Sequence, residues 1–387
     1  MGKRIVIMAG GTGGHVFPAL AVAVALREKG WQVSWLGTQK GLEGRVIPEQ
    51  GIEIDWLSVA GVRGKGWLSK ITAVLLLVKA CFQALKILRK RKPDVVLGMG
   101  GFVAGPGGLM AKLLGIPLII HEQNRVPGTT NRLLARMANQ VLEAFPGSFD
   151  KKLNAKFTGN PLRKQFLIPL DPSATAPGVA LPPASMQSPF TKGEENPSCA
   201  KAHDLIPPFE KGGLGGIKIL VVGGSQGAQV LNEVVPEALA KLNNVAVRHQ
   251  TGAAMQQQVE SRYKALGVNA EAQAFIEDMV SAYQWADLVI CRSGAMTVSE
   301  VAASGVPAIF IPLPNAIDDH QTANARYLAD VGAALILMQK DLNAATLVEH
   351  ITKVLKQLDV MSKTAKEYAR LDATEIVAGV CMAEAGL

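Results

Sequence analysis

The chain has 387 residues, of which 48% are hydrophobic, and its formal net charge is +8. At ~100–200 residues per domain this length predicts two domains, and the apolar content excludes wholesale disorder. Cys81, Cys199, Cys291 and Cys381 stand far apart, with neither CxxC spacing nor a nearby histidine cluster, so we expect a reducing compartment and neither a zinc site nor a disulfide framework.

The amino terminus and the apolar stretches argue against export and against a membrane span. The apolar run that begins after Arg4 gives way to glycines at Gly10, which is too short for the core of a signal peptide. The chain contains no stretch of about 20 uninterrupted apolar residues, the length that a spanning helix needs. We therefore expect a cytosolic or membrane-peripheral protein.

Apolar runs alternate with amphipathic stretches in two blocks. The predicted strands are 4–8, 31–36, 95–97 and 116–121 in the first block, and 217–222, 245–250, 274–276, 287–291 and 308–311 in the second. Strand–helix alternation predicts parallel sheets with helices on both faces, hence an α/β fold with two Rossmann-like, doubly wound domains. Because such sheets bind ligands at the carboxyl ends of their strands, we expect the two domains to share a cleft.

Composition suggests where the domains begin and end. We predict an amino-terminal domain over 1–163, a carboxy-terminal domain over 217–369, and a last helix at about 370–387 that packs back on the amino-terminal domain. Residues 169–216 hold nine of the 21 prolines and six glycines without sustained periodicity, which is typical of a linker or insertion. We expect this segment to be structurally passive.

Two glycine-rich turns each follow a predicted strand and precede a helix. The first is 10–14, ahead of His15 and a helix predicted to begin at Pro18; the second is 223–227, ahead of a helix that begins at Ala228. Such turns let backbone N–H groups approach an anion at the positive end of a helix dipole. The first turn lacks G-x-G-x-x-G spacing, no acid follows the second strand, and the phosphate-loop pattern is absent. A dehydrogenase and an NTPase are therefore disfavoured.

A third turn leads from a strand into a helix at 292–300. Glu300 would lie about one and a half turns into that helix. A carboxylate there either interacts favourably with the helix dipole or binds a ligand, and the spacing alone does not distinguish the two roles.

Eight segments stand in the order found in one enzyme family. They are GGTGGHVFPALAVA (10–23), GVRGKG (61–66), KPDVVLGMGGFVAGPGG (92–108), HEQN (121–124), GNPLR (159–163), VVGGSQGA (221–228), RSGAMTVSE (292–300) and DDHQTANA (318–325). Together they resemble the lipid II-forming members of glycosyltransferase family 28, which have the GT-B fold. The resemblance covers nearly all of the chain except 169–216.

The resemblance implies a specific reaction. N-acetylglucosamine is transferred from UDP-GlcNAc to the 4-hydroxyl of the muramoyl sugar in lipid I, giving lipid II and UDP with inversion at the anomeric carbon. The resemblance also implies a peripheral location on the cytoplasmic side of the inner membrane, with other cell-wall synthesis proteins as further partners. The implied donor-site residues are Thr12, Gly13, Gly14, Asn124, Arg163, Ser225, Ile276, Ala295, Met296, Thr297, Val298, Ser299, Glu300 and Gln321.

Individual roles follow from the same resemblance. Ser225 and its loop would hold the diphosphate, backbone near Ile276 would contact the uracil, and Glu300 would accept hydrogen bonds from the ribose hydroxyls. The chain departs from some relatives at His320, where they have glutamine, and Gln321 beside it keeps the polar role.

His15 is the expected general base. Inversion by direct displacement requires a group that takes the proton of the acceptor hydroxyl, and imidazole titrates near neutral pH. Glu122 is the rival, as a base or as a group that orients the acceptor. Helix amino termini and Arg163 would stabilise the leaving UDP. Because Asp318 and Asp319 are adjacent, unlike the spaced pair of a D-x-D motif, we expect no essential metal and no cofactor.

One short segment accounts for the net positive charge. Nine basic residues and no acid lie between residues 62 and 92. A localised basic patch indicates a localised acidic partner, here an anionic phospholipid surface, and no nucleic acid. Lysines interrupt the apolar stretch 67–88, which suits a helix at the membrane interface, with a core helix as the alternative. The residues expected to face the membrane are Trp67, Ile71, Leu75, Lys79, Phe82 and Lys86.

Three other functions fit part of these observations. A diacylglycerol glycosyltransferase would share GGTGGH and the membrane segment, but HEQN and GGSQG argue against it. A UDP-GlcNAc epimerase would share the fold and the donor without requiring a lipid surface. A catalytically inactive nucleotide-sugar-binding scaffold is disfavoured because His15, Arg163 and Glu300 are all present.

Overall fold

The computed structural model describes residues 2–59, 67–166, 216–223, 228–314 and 317–387, without the side chains of 67–73 and of residue 317. Several predicted features lie outside the described part of the chain. They are residues 169–215 of the linker expected at 169–216, the GVRGKG segment at 61–66, the loop residue Ser225, and the side chains of Trp67 and Ile71. The two sheets described below belong to one compact unit, formed by residues 1–167 and 216–387.

The first sheet has seven strands, all parallel, in the order β3-β2-β1-β4-β5-β6-β7. Its strands are β1 (Arg4–Met8), β2 (Gln32–Gly37), β3 (Glu53–Trp56), β4 (Val95–Gly98), β5 (Leu118–Glu122), β6 (Gln140–Glu143) and β7 (Lys156–Phe157). The connecting helices are α1 (Gly13–Glu28), α2 (Glu43–Glu49), α3 (Trp67–Arg91), α4 (Ala104–Leu113) and α5 (Thr129–Leu134).

The second sheet has six strands, again all parallel, in the order β10-β9-β8-β11-β12-β13. Its strands are β8 (Ile217–Val222), β9 (Val245–Gln250), β10 (Asn269–Gln273), β11 (Leu288–Cys291), β12 (Ala308–Phe310) and β13 (Ala334–Ile336). The helices are α6 (Gln229–Leu239), α7 (Gln256–Ala265), α8 (Met279–Trp285), α9 (Ala295–Ser304), α10 (His320–Ala329), α11 (Ala344–Leu355) and α12 (Leu358–Glu367).

The predicted fold class is confirmed, because both sheets are parallel and each has helices on both faces. The strand predicted at 274–276 is wrong: β10 is Asn269–Gln273, and Ile276 lies in the turn before α8. β10 lies at the edge of the sheet, pairs with β9 alone and is only half-buried. Its sequence, NAEAQ, therefore lacks the continuous apolar run by which a central strand is predicted.

Helix α1 begins earlier than predicted, at Gly13, and runs through Pro18. Pro18 lies past the first turn and has no N–H, so the carbonyl of Gly14, four residues earlier, lacks its usual donor within the helix. Gly30 has φ +81° and follows the helix, and the N–H of Trp31 bonds the carbonyl of Leu26 at 3.1 Å. Gly30 thus ends the helix in the left-handed conformation, which glycine adopts at little cost.

The last helix, α13 (Ala373–Glu384), packs against the first sheet. Val377, Ala378 and Cys381 are buried in the same cluster as Val22 and Leu26 of α1. Polar contacts hold the helix end: the Lys3 ammonium donates to the carbonyl of Ala385 at 2.6 Å, and the Gln140 amide donates to Glu384 at 2.8 Å. The chain thus returns to its first sheet after it completes the second.

In each sheet the strand order reverses beside the first strand. β1 lies between β2 and β4, and β8 lies between β9 and β11. The loops after these strands therefore diverge to opposite faces and leave a crevice at the carboxyl ends, where open α/β sheets bind ligands. In the first sheet those loops are 9–12 and 99–103; the HEQN segment begins at the end of β5, next to β4.

Candidate active site

A buried carboxylate holds the first glycine turn. Glu43 at the start of α2 is fully buried, and its Oε2 accepts the N–H of Gly11 at 2.9 Å. Its Oε1 accepts both the N–H and the hydroxyl of Thr38, at 2.9 and 2.8 Å. Gly11 has φ +96°, which favours glycine, and a side chain on Gly101 would collide with the carbonyl of Gly10. Sequence reasoning did not identify Glu43, because no local pattern connects it with residue 11.

The turn ends in an uncapped helix. Thr12 is the N-cap of α1 with extended backbone, and its side chain makes no capping hydrogen bond. The carbonyl of Thr12 accepts the N–H groups of His15 and Val16, both at 3.1 Å. The first N–H groups of a helix have no acceptor within it, so Gly13 and Gly14 present donors and the positive end of the helix dipole. This arrangement suits an anion.

His15 is the third residue of α1 and is half-buried. Its Nδ1 lies 2.7 Å from Oε1 of Gln123, the third residue of HEQN. The ring also lies against Gly100, which has φ +100° and where a Cβ would come within 2.9 Å of Nδ1. Glycine at position 100 therefore leaves room for the imidazole. Gln123 had no role in the sequence analysis.

Glu122 is 1% exposed, and both of its carboxylate oxygens are occupied. Oε1 accepts the backbone N–H of Asn124 at 2.9 Å and its side-chain amide at 3.2 Å. Oε2 accepts the N–H of Gly128 at 3.1 Å and the amide of Asn131 at 2.9 Å. These four donors fix the segment from residue 124 to 131.

Asparagine side chains join the first sheet to helices of the second. Asn324 on α10 donates to Oδ1 of Asn124 at 3.2 Å and accepts the N–H of Arg125 at 2.9 Å. Asn160 is buried after β7 and donates to the hydroxyl of Ser299 on α9 at 3.0 Å. Asn124 and Ser299, both predicted donor-site residues, are therefore held by contacts between the two halves.

Arg163 and Glu300 form an ion pair. Nη2 of Arg163 lies 3.4 Å from Oε1 of Glu300, and the Tyr283 hydroxyl donates to Oε2 at 3.3 Å. Burial raises the pKa of Glu300, an effect that the Arg163 charge and the Tyr283 hydroxyl oppose. The Arg163 guanidinium also lies over the ring of Phe17, 5.7 Å from its centroid. Residues from α1 and α9 thus contact this cation, and Tyr283 of α8 supports the carboxylate that pairs with it.

Helix α9 supplies the run 295–300 and, like α1, has no side-chain cap. Its N-cap is Gly294, with extended backbone. Ala295 and Val298 are buried in the core of the second sheet, so only their backbone is available to a ligand. Met296 and Thr297 are half-exposed at the first turn.

The other predicted donor-site residues make contacts of their own. The backbone N–H of Ile276 donates to the side chain of Gln250 at 3.0 Å, and Ile276 is buried. Oε1 of Gln321 on α10 accepts the N–H of Leu313 at 2.9 Å. No direct hydrogen bond joins these two to His15, Arg163 or Glu300 in the described residues.

The adjacent aspartates, Asp318 and Asp319, each contact a different side chain of the protein. Asp318 and Asp319 both have left-handed backbone, with φ of 55° and 49°. Asp318 lies 3.6 Å from Arg132, and Asp319 accepts the hydroxyl of Thr322 at 2.7 Å. Among the described residues, no three histidine, cysteine or acidic side chains come together as metal ligands.

Helix α3 exposes many apolar side chains. Leu75 is 63% exposed and Phe82 68%, while Lys79 and Lys86 lie exposed beside them. The opposite face, at Ala80, Ala84 and Leu88, is buried against the sheet. Over the described parts of the chain, no helix is long and apolar enough to cross a bilayer.

The fold and the site together define a GT-B glycosyltransferase of the nucleotide-sugar class. The glycosyltransferase family 28 N-terminal domain matches residues 5–143, and the family 28 C-terminal domain matches residues 218–378.

Similar proteins narrow this class. A UDP-N-acetylglucosamine–N-acetylmuramyl-(pentapeptide) pyrophosphoryl-undecaprenol N-acetylglucosamine transferase from Methylococcus capsulatus is 54% identical over 100% of both chains. The enzyme of that name from Tolumonas auensis is 45% identical over 99% of each. The crystal structure of Acinetobacter baumannii MurG superposes with a TM-score of 0.78 at 39% identity, covering 98% of this chain and 99% of the other. The chain belongs to the MurG family within glycosyltransferase family 28.

An epimerase is similar in fold alone. The UDP-GlcNAc 2-epimerase of Neisseria meningitidis has a TM-score of 0.61 at 13% identity. It shares the two-sheet architecture, and the likeness carries no functional argument for this chain.

Proposed function

We propose that this protein transfers N-acetylglucosamine from UDP-GlcNAc to the C4 hydroxyl of MurNAc in lipid I, with inversion, and releases lipid II and UDP. The observation that supports this most strongly is the half-exposed His15 beside the uncapped amino terminus of α1, where the strand order reverses. A base and an anion-binding helix end thus lie in one place. The proposal explains why both belong there.

The donor would bind through helix ends and the Arg163–Glu300 pair. UDP-GlcNAc carries a diphosphate, and the free N–H groups of α1 and α9 are suitable donors for it. Glu300 would accept the ribose hydroxyls, and Arg163 would neutralise charge on the leaving UDP. The loop that contains Ser225 would complete the diphosphate site, and Ile276 and Gln321 would contact the rest of the donor.

His15 would take the proton of the acceptor hydroxyl as the new glycosidic bond forms. Its Nδ1 is engaged by Gln123, so Nε2 is the nitrogen left for the acceptor. Glu122 is poorly suited to this task, because each of its oxygens already accepts two hydrogen bonds. We assign Glu122 the role of holding the 124–131 segment, and with it Asn124.

The lipid acceptor requires contact with a membrane, and helix α3 is a suitable surface. It combines exposed leucine and phenylalanine side chains with lysines, as interfacial helices do. We therefore propose a peripheral location on the cytoplasmic side of the inner membrane, with α3 against anionic phospholipid headgroups. Other cell-wall synthesis proteins are further partners on this view.

One assay tests the reaction. The enzyme is incubated with UDP-GlcNAc labelled in the sugar and with lipid I, and both labelled lipid product and free UDP are measured. We expect equal amounts of the two. With diacylglycerol as acceptor we expect no product, and without an acceptor no conversion of the donor to another sugar nucleotide. UDP formation without labelled lipid II, or epimerised donor, would contradict the proposal.

A further inference from the structure

Two buried residues of the HEQN segment lie behind His15 in a continuous line of hydrogen bonds. His121 and Gln123 are both 0% exposed. The line runs from the carbonyl of Gly159 through the His121 ring and the Gln123 amide to the His15 ring, with distances of 3.0, 3.0 and 2.7 Å. In such a line, a group whose proton position is fixed at one end determines which atoms donate and which accept at every following contact.

The orientation of the Gln123 amide is fixed by an acceptor that cannot donate. Its nitrogen lies 3.1 Å from the backbone carbonyl of His121, so this end of the side chain must be the NH₂ group. The same NH₂ lies 3.0 Å from Nδ1 of His121. An NH₂ group only donates, so Nδ1 of His121 must be the unprotonated nitrogen.

The far end of the line agrees with this arrangement. Nε2 of His121 lies 3.0 Å from the carbonyl of Gly159, which only accepts, so Nε2 must carry the proton. Burial lowers the pKa of His121 to about 4, an effect that the bond to Gly159 opposes, so the ring is neutral near pH 7. Two carbonyl groups therefore give the same proton arrangement independently.

This arrangement determines which nitrogen of His15 carries the proton. With its NH₂ group committed, Gln123 can present only Oε1 to Nδ1 of His15. An oxygen there requires Nδ1 of His15 to carry a proton, which leaves the lone pair of neutral imidazole on Nε2. We infer that Gln123, held by His121, is a positioning residue that fixes His15 in the tautomer able to accept a proton at Nε2. This inference rests on the proposed role of His15 as the base.

The first experiment reads the tautomer without measuring activity. The enzyme is labelled with ¹⁵N-histidine, and the His15 signals are assigned by their loss in His15→Ala. We expect a protonated Nδ1 and an unprotonated Nε2 at neutral pH in wild type. In Gln123→Met, which nearly conserves volume, we expect a mixture of both tautomers. A wild-type proton on Nε2, or an unchanged tautomer in the variant, would overturn the inference.

The second experiment is a double-mutant cycle on transfer activity. Losing one neutral hydrogen bond to the base should lower kcat about tenfold in Gln123→Met, with KM for UDP-GlcNAc unchanged. In the His15→Ala background the same substitution should have no further effect, because Gln123 acts only through His15. An equal loss in both backgrounds would show that Gln123 merely supports the structure, and would overturn the inference.

The matched control is Gln140→Met. Gln140 on β6 of the same sheet is half-buried and bonds Glu384 with its amide, so Gln140→Met removes a similar contact outside the site. We expect its kcat to equal that of wild type. If His15→Ala keeps full activity, the proposed base is wrong. In that case the nuclear magnetic resonance result still decides whether Gln123 sets the tautomer.

Discussion

Arg163 and Glu300 connect the two halves of the candidate site. Arg163 follows the last strand of the first sheet, and its Nη2 lies 3.4 Å from Oε1 of Glu300 on α9. Glu300 is largely buried, and burial raises its pKa, so the carboxylate depends on Arg163 and on the Tyr283 hydroxyl to remain charged. Removing either charge leaves the other in a site of low polarity.

Replacing Glu300 by alanine should weaken donor binding more than it slows chemistry. Losing hydrogen bonds to a charged acceptor costs about 1.5–3 kcal/mol, which corresponds to roughly ten- to a hundredfold in Kd. The measurement is calorimetric titration with UDP-GlcNAc, alongside kcat at saturating donor. Glu349→Ala, an exposed glutamate on α11, is the control and should bind normally. Normal affinity in Glu300→Ala would restrict Glu300 to a structural role.

His15→Ala should nearly abolish transfer while UDP affinity stays within a few-fold of wild type. A positioned general base contributes about 10²–10⁴-fold to the rate. The ring makes its contact with Gln123 and not with Arg163 or Glu300, so donor contacts should survive. The measurements are kcat with lipid I and a titration with UDP. Turnover close to that of wild type would remove His15 from the mechanism.

Glu122→Gln should destabilise the protein without changing the pH dependence of the remaining activity. An amide NH₂ would replace one oxygen that now accepts two donors, and unpaired buried donors cost about 1–3 kcal/mol each. We expect a lower midpoint of urea unfolding and an unchanged acidic limb in the profile of kcat/KM against pH. Loss of that limb with unchanged stability would identify Glu122 as the base.

Two buried histidines should make stability depend on pH. Burial lowers the pKa of His121 to about 4 and that of His249 to about 3. In the unfolded chain these histidines take up protons as the pH falls below the ordinary histidine pKa of ~6.5, whereas in the folded chain they stay neutral. Their contribution to the free energy of unfolding is therefore fully present above pH ~6.5 and is lost as the pH falls toward ~4. The loss is about 2 kcal/mol per histidine between pH 7 and 5.

Urea unfolding of wild type and His249→Gln at pH 7 and 5 measures this term. Glutamine does not titrate and can still bond the Tyr263 hydroxyl, which now lies 3.0 Å from Nδ1 of His249. We expect the loss between the two pH values to be about 2 kcal/mol smaller in the variant. Equal losses would mean that the folded protein protonates His249 as readily as the unfolded chain does.

Central strands were predictable from the sequence and edge strands were not. The runs at 4–8 and 217–222 are apolar except for one basic residue each, and β1 and β8 occupy those residues. The run at 245–250, which β9 occupies, begins with three apolar residues. By contrast β3, β7, β10 and β13 lie at sheet edges, where one partner strand and partial exposure relax the need for apolar residues. β6 is internal, and no strand was predicted there either.

Local spacing brings candidate site residues together only where they follow one another in the chain. The glycine turn and His15 form one segment, and α1 places them together. The contacts Gly11–Glu43 and Asn124–Asn324 join residues 32 and 200 positions apart, which no local spacing reveals. For Glu122 the sequence supplied a carboxylate, but only its four donors indicate that it holds a loop.

The last prediction concerns the two parts of the proposed membrane surface. Leu75→Ser with Phe82→Ser should weaken binding to anionic vesicles at every salt concentration, because each buried apolar side chain contributes roughly 1.5–3 kcal/mol. Lys79→Glu with Lys86→Glu should weaken binding mainly at low salt, since each lysine contributes about 1 kcal/mol near an anionic leaflet and salt screens it. All four side chains are exposed, so folding should be unaffected.

Vesicle co-sedimentation at low and high salt, with circular dichroism to verify folding, separates the two contributions. The control is Val360→Ser on α12, where an exposed valine lies outside α3 and should not affect binding. The serine pair should bind weakly in both salts, whereas the glutamate pair should approach wild type at high salt, because only its charge contribution is screened. Transfer to a soluble acceptor analogue should persist in both variants. Undiminished vesicle binding by both folded variants would mean that α3 is not the membrane surface.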